Sequence, residues 1–298
     1  MKANKFQPTD WLMLVVALIW GINFALIKIA LREIPPMPFN GIRLLLASSI
    51  LVIWLLITEG NLAVQREHIF KIILLAVSGY SIYQYIFILG INFTTASNTA
   101  VIFGIAPISM ALFSWFAKHE EIKPIAWVGI LLGFVGVYIT IAGKSGGFSF
   151  SLKNLKGDFL ILAAVLLWAH YTVAAKPLLK IYSPLKFTAL TMSIGSLLFF
   201  PFSIKELIAL PYSAISFKAW FCLGFSGLMA LSVSLIIWFY SVRRVGSTQT
   251  AVYGNLPTVF AVIFAWLLLS ESISFSLIIG GAVILLGIVF TRMGRETG

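Results

Sequence analysis

The chain alternates between long apolar runs and short polar breaks. Ten such runs lie near residues 11–31, 39–58, 69–91, 96–116, 124–142, 158–177, 187–204, 218–241, 247–269 and 274–292. A helix rises 1.5 Å per residue, so about 20 apolar residues cross a bilayer's hydrocarbon core. Each run meets that length, and the pattern predicts an all-α membrane protein of ten transmembrane helices. Pro35, Pro36 and Pro38 separate the first two runs, and Pro184 separates the sixth and seventh. The longest Gly/Ser/Lys-rich stretch, GKSGGFSFSLKNLKG at 143–157, falls at the midpoint and reads as a linker. The first run is long enough to span, so it is expected to stay in the membrane and not to be cleaved as a signal.

The two sides of that linker echo each other. SNTAVIFGIAP at 97–107 returns as STQTAVYGNLP at 247–257, an offset of 150 that places Gly254 on Gly104 and Pro257 on Pro107. The same offset carries Glu121 to Glu271. With an offset of 148, Asp158 falls on Asp10, Trp168 on Trp20, Lys176 on Lys28 and Pro184 on Pro36. Residues 1–142 and 158–298 therefore read as two copies of one five-helix unit. Five is odd, so the second copy enters the bilayer from the opposite side, as an inverted repeat. Proline lacks an amide hydrogen, so Pro107 and Pro257 free the carbonyls of Phe103 and Tyr253 within apolar helices. In lipid a freed carbonyl needs a partner or a wet cavity. Matched, Gly/Pro-interrupted spans in two halves point to a binding site where the halves meet.

Composition narrows the class. The chain is 60% hydrophobic and 10% charged, against about 25% charged in soluble domains. Its 21 Lys and Arg outnumber 10 Asp and Glu. The basic residues sit in short loops, so the excess reports orientation in a bilayer and not a nucleic-acid partner. With the N-terminus cytoplasmic, thirteen loop Lys and Arg fall inside and six outside, which places both termini in the cytoplasm. One cysteine, Cys222, excludes internal disulfides and cysteine-based metal clusters. There is no GxxxxGK[ST] loop, so this chain does not bind ATP in that way.

TrpGlyIleAsnPhe at 20–24 with Lys28, ArgLeuLeuLeuAla at 43–47, and the Pro107–Glu121 and Pro257–Glu271 pairs resemble the drug/metabolite transporter superfamily, EamA type. The likeness covers nearly the whole chain. It implies a ten-helix bundle of two inverted repeats in a bacterial inner membrane. It also implies a central cavity lined by the first, third and fourth helices and by the sixth, eighth and ninth. Similar bacterial members export metabolites such as amino acids. The second half departs from the pattern: Ala169 and His170 replace Gly21 and Ile22, and Thr191 stands where Arg43 would.

The expected substrate-binding residues are Trp20, Asn23, Tyr80, Gln84, Phe103, Trp168, His170, Tyr171, Tyr253 and Asn255, beside the helix breaks at Pro107 and Pro257. Asn23 lies mid-span, where an amide either lines a cavity or bonds two helices together. Tyr80, Gln84 and Phe87 share one face at i, i+4 and i+7. Their echoes Leu228, Ser232 and Leu235 are plainer, so the cavity is lopsided and suits an amphipathic molecule with an apolar body. Lys28, Arg43 and Lys176 either snorkel to the membrane surface or meet a substrate carboxylate or phosphate. No metal and no cofactor are expected, and the sequence leaves the oligomeric state open, a monomer included.

These features predict a secondary transporter working by alternating access, an exporter of small organic metabolites. The alternative is an importer or exchanger of anionic metabolites such as nucleotide sugars, which needs Lys28, Arg43 or Lys176 in the cavity. An intramembrane enzyme would need paired carboxylates, a metal cluster or a nucleophile with its base at depth, and no span holds them. His170 is the one histidine inside a span. Transport is therefore expected to be facilitative or by exchange, with His170 the residue through which a proton would otherwise couple.

Overall fold

The computed structural model describes residues 8–117, 123–142, 152–254 and 256–293, and among them there is no strand. α1 covers Pro8–Ala30 and α2 Pro36–Thr58. α3 (Arg66–Ala76) passes through a π-helical segment, Val77–Ile82, into α4 (Tyr83–Phe93). α5 (Ala96–Phe103) and α6 (Ala106–Phe116) are the two parts of one interrupted span, and α7 is Pro124–Ala142. α8 runs from Leu152 to Leu179. It begins six residues earlier than the sequence suggests, so the end of the expected linker is helical, and residues 143–151 lie outside the described residues.

The second half follows the same order with its own departures. α9 (Pro184–Phe199) and α10 (Pro201–Ile208) meet at a 58° bend where one continuous helix was expected. Pro201 has no amide to offer the helix, so the chain turns there. α11 (Phe217–Phe225) enters a second π-helical segment, Ser226–Val233, and continues as α12 (Ser234–Tyr253). Within α12 the Ser241 and Thr250 hydroxyls lie 2.9 Å apart. Nine residues of straight helix would separate them by about 13.5 Å, so the chain doubles back between them. α13 (Leu256–Leu269) and α14 (Phe275–Met293) complete the chain.

Short polar signals start these helices. Pro36 and Pro184 occupy first-turn positions of α2 and α9, where a missing N–H costs nothing. The side chains of Thr95, Ser183 and Ser216 accept from the amides of Asn98, Lys186 and Ala219, capping α5, α9 and α11. Among the described residues, six helical stretches are long and apolar enough to cross a membrane, or seven with the bent α9–α10 pair. Large apolar side chains cover the outside: Ile57, Ile208 and Phe217 are each more than three-quarters exposed. Such a coat is costly in water and neutral in lipid.

Where helices meet they do so closely. A Cβ on Gly287 of α14 would stand 2.6 Å from the Gly129 carbonyl of α7, so these two backbones touch through glycine. Gly195 of α9 admits Tyr80 in the same way, and Ser81 donates to the Gly195 carbonyl at 3.0 Å.

Candidate functional site

Four irregular places converge on one cavity. Two are the interrupted spans. α5 ends at Phe103 and α6 starts at Ala106, with Gly104 and Ile105 between them; α12 ends at Tyr253 and α13 starts at Leu256. Each interruption stands before the proline of its repeated motif, and Pro107 and Pro257 both line the cavity. The other two are the π-helical segments, whose starts, Val77 and Ser226, are 149 residues apart. A π turn leaves carbonyls without their usual helical donors. The indole of Trp20 donates to one of them, Ala230 O, at 2.9 Å. Tyr80 comes from the first π segment and Ala230 and Leu231 from the second, and all three line the cavity.

The cavity holds about 100 Å³ of solvent-sized space and is walled largely by rings. Trp20, Trp168 and Trp238 form a triangle with ring centroids 5.2–6.1 Å apart. Phe24, Phe87 and Phe103 pack edge and tilt at 5.7–6.4 Å, and Tyr83 stacks on Phe87 at 5.8 Å. Such tilted and edge-on contacts fix ring positions while leaving flat faces for a ligand.

One charge stands among these rings. Arg43 of α2 is 1% exposed and lines the cavity. Its Nη2 donates to Asn40 Oδ1 and Gln84 Oε1, both at 2.6 Å, and its Nη1 donates to Ser226 Oγ at 3.0 Å. Asn40 is itself held by the Gln84 carbonyl at 3.2 Å. All three acceptors of the guanidinium are neutral.

The expected site residues divide. Trp20, Asn23, Tyr80, Gln84, Phe103 and Trp168 line the cavity with both prolines. Tyr171 does not; it is fully buried behind the wall, where its hydroxyl meets Thr191 at 3.0 Å and Tyr80 at 3.4 Å and so positions Tyr80. His170 is a correction to the sequence reading. It lies on the exposed outer face of α8 against the Phe113 ring, because its neighbours Trp168 and Tyr171 take the inward direction of that helix. Tyr253 is partly buried and packs on the core beside the cavity, while Gly254 reaches the lining. Asn255 lies outside the described residues.

The cations divide too. Lys28 reaches the carbonyls of Ile91, Asn92 and Thr94 at 3.0, 3.4 and 2.7 Å, and so caps the C-terminal end of α4. Lys176 is half-buried near the end of α8 and does not line the cavity. Arg43 alone of the three enters it. Trp238, Phe24 and Thr258 line the cavity although sequence reasoning passed them over. Trp238 stands three residues from the end of the run 218–241, where a tryptophan reads as an interfacial anchor, so the sequence offered no signal for it.

The two interrupted spans are tied across the halves. Thr258 Oγ1 donates to the Ala100 carbonyl at 3.0 Å, which also accepts from Gly104 N at 3.1 Å where α5 ends. At the start of α5, Glu271 Oε1 accepts from Ala96 N at 2.9 Å, and its Oε2 accepts from Ser97 N at 3.0 Å and Ser97 Oγ at 2.6 Å. A carboxylate there meets the positive end of a helix dipole. Nearby Asp158, fully buried, accepts from Thr94 Oγ1 and, at 3.2 Å, from Asn98 Nδ2.

Comparison with known proteins bears on this architecture. The EamA-like transporter family model matches residues 7–142 and again 155–293. An uncharacterized transporter of Archaeoglobus fulgidus is 29% identical over 285 residues, covering 96% of this chain and 97% of that one. The uncharacterized transporters YoaV and YetK of Bacillus subtilis are 27% and 26% identical, covering 92% and 98% of this chain and 92% and 89% of their own. A protein of known crystal structure superposes with a TM-score of 0.67 at 18% identity over 96% of each chain, a likeness of fold. Matched over both halves and carrying apolar helices of membrane-spanning length, the chain is an integral membrane protein that belongs to the EamA-like transporter family.

Proposed function

We propose that the chain is a secondary transporter that exports small organic metabolites by alternating access through the aromatic cavity. In this reading residues 1–142 and 158–298 are inverted five-helix repeats joined by 143–157. The ten helices lie in a bacterial inner membrane with both termini cytoplasmic. The observation that carries it is the pair of prolines: Pro107 and Pro257, at matched places in the two halves, stand in the wall of one cavity. Interrupted spans that meet at mid-membrane are the usual site of substrate in carriers built from repeats. The matched family segments and the two π-helical turns 149 residues apart support the duplication. In this reading of ten helices, the three shorter apolar helices are spans beside the six long ones and the bent α9–α10 pair found among the described residues.

Coupling is facilitative or by exchange in this reading. None of the described cavity residues is acidic, and His170 faces outward. The anionic alternative gains from one observation, the presence of Arg43 in the cavity. Two experiments test the proposal. Impermeant thiol reagent should label a cysteine placed at Ser149 and not one placed at Arg66, and the reverse result would overturn the orientation. Gln84→Ala and Trp168→Ala should reduce transport with expression intact, and wild-type kinetics in both would remove the cavity from the pathway.

A further inference from the structure

Three residues that line the cavity each carry a buried polar atom without a partner: Arg43 Nε, Trp238 Nε1 and Asn23 Oδ1. Buried polar groups are nearly always hydrogen-bonded, so three orphans on one small cavity mark places a ligand fills. Arg43 has the strongest demand. Its guanidinium is buried, its three bonds go to neutral oxygens, and its Cζ lies 5.4 Å from the Phe39 ring and 5.9 Å from the Phe87 ring. The His68–Glu67 pair lies at the start of α3 and does not involve Arg43. No described residue of the lining is acidic. A charge left without a counterion at low dielectric is costly until an anion reaches it.

From this we infer that the substrate is an organic monocarboxylate with a flat apolar body. Its carboxylate is anchored by Arg43 Nε, and its body lies against the Trp20–Trp168–Trp238 triangle. The inference rests on the transport reading above and narrows its substrate. One cation sets the charge at one. A nucleotide sugar, with two phosphate charges, would need a second, and Lys28 is spent on the carbonyls that end α4 while Lys176 stays outside the lining. The guanidinium edge suits a planar carboxylate because each offers its polar atoms in one plane. Trp238 Nε1 and Asn23 Oδ1 remain for polar atoms along the ligand's edge.

The test uses the purified full chain and two probe sets of one shape and differing charge. These are indole-3-acetate, its amide and tryptamine, and 3-phenylpropionate, its amide and 3-phenylpropylamine. Calorimetric titration should give wild type a preference of about 10- to 100-fold for each acid over its amide, the worth of a hydrogen bond to a charged group, and no binding of the amines. Arg43→Gln should bring the acids down to the amides' level, and Arg43→Lys should keep part of the preference. The wild-type ratio decides the matter alone if Arg43→Gln does not fold. Equal binding of acid and amide, a preference for the amines, binding of none of the six, or an acid preference that survives Arg43→Gln would overturn the inference. Counterflow of the same probes in liposomes separates it from the transport reading. Amides or amines exchanged as fast as acids, and blocked by Ala230→Phe in the cavity wall, would leave a carrier whose substrate is not an anion.

Discussion

Replacing Glu271 by glutamine should release one end of the transport cycle. The Glu271 carboxylate follows α13 in the second half and caps α5 in the first through three hydrogen bonds of 2.6–3.0 Å. Glutamine keeps one carbonyl oxygen but turns an N–H toward two donors, Ser97 N and Ser97 Oγ. It also removes the charge from the helix N-terminus. Charge-assisted bonds contribute about 1.5–3 kcal/mol each, and a charge at a helix end about 0.3–1 kcal/mol. Glu271 is half-buried and so partly screened by solvent, the low end applies, and the net loss is about 2 kcal/mol, an equilibrium shift of about 30-fold. If the α5–Glu271 tie forms in one state only of the proposed alternating-access cycle, the whole shift appears as a change of population. The assay is maleimide labelling of a single cysteine at Phe103 in the cavity wall, with the native Cys222 replaced by serine, in vesicles of both orientations. Glu271→Gln should raise the labelling rate by up to about 30-fold from the face that carries Glu271 and lower it from the other. Unchanged rates from both faces, with a lowered unfolding temperature, would show that the cap only stabilises the fold and would refute this reasoning.

Other changes have equally definite outcomes. Gly287→Ala would place a methyl 2.6 Å from the Gly129 carbonyl and 2.8 Å from Gly133 N, so thermal unfolding should show a loss of about 1–3 kcal/mol, and an unshifted midpoint would contradict the close α7–α14 approach. Ser270 sits at φ 55° where α13 ends, with Glu271 N reaching back to the Ala265 carbonyl at 3.3 Å. Ser270→Val should therefore cost about 1–2 kcal/mol in the same assay, and Ser270→Gly should not. The Ser216 N–H and hydroxyl, donating at 2.7 Å each, hold the Glu33 carboxyl below the usual carboxylate range. A depressed pKa means the stabilisation is present above that range and fades as pH falls through and below it. Glu33→Gln should then flatten the acid limb of the stability profile, and an identical acid limb would count against the contact. His170→Gln should leave accumulation unchanged at every pH gradient, since the ring touches Phe113 on the outer face.

What the sequence revealed was periodic and duplicated. The apolar runs and the repeated SNTAVIFGIAP motif located the interrupted spans, because proline and glycine act on their own backbone wherever they stand. Trp20, Gln84 and Trp168 were legible for a similar reason: deep polar or bulky groups on a span need an inward neighbour. Facing direction was harder. His170 and Tyr171 follow Trp168 by two and three residues, and a helix turns about 100° per residue, so His170 comes about 200° round from Trp168 and points out. Arg43 stayed open between snorkelling and the cavity because of a helix boundary. Counting from residue 39 puts it four residues in, within snorkelling reach, whereas α2 starts at Pro36 and buries it about 10 Å along the axis. The π-helical turns and the α9–α10 bend had no local signature beyond Gly79, Gly227 and Pro201, since they depend on what packs against them. The tie between Glu271 and α5 is long-range, and nothing in either segment names the other.

The central claim is that a molecule crosses the membrane through the cavity between Pro107 and Pro257. Its most direct test is a paired metabolite profile, inside and outside, of cells carrying the wild-type chain or Ala230→Phe at matched membrane abundance. Ala230 lines the cavity, and a phenyl group there takes up its free space. The account predicts that wild type enriches a small set of organic metabolites outside the cell and that Ala230→Phe abolishes the enrichment. Identical profiles for wild type, Ala230→Phe and cells lacking the chain would contradict it.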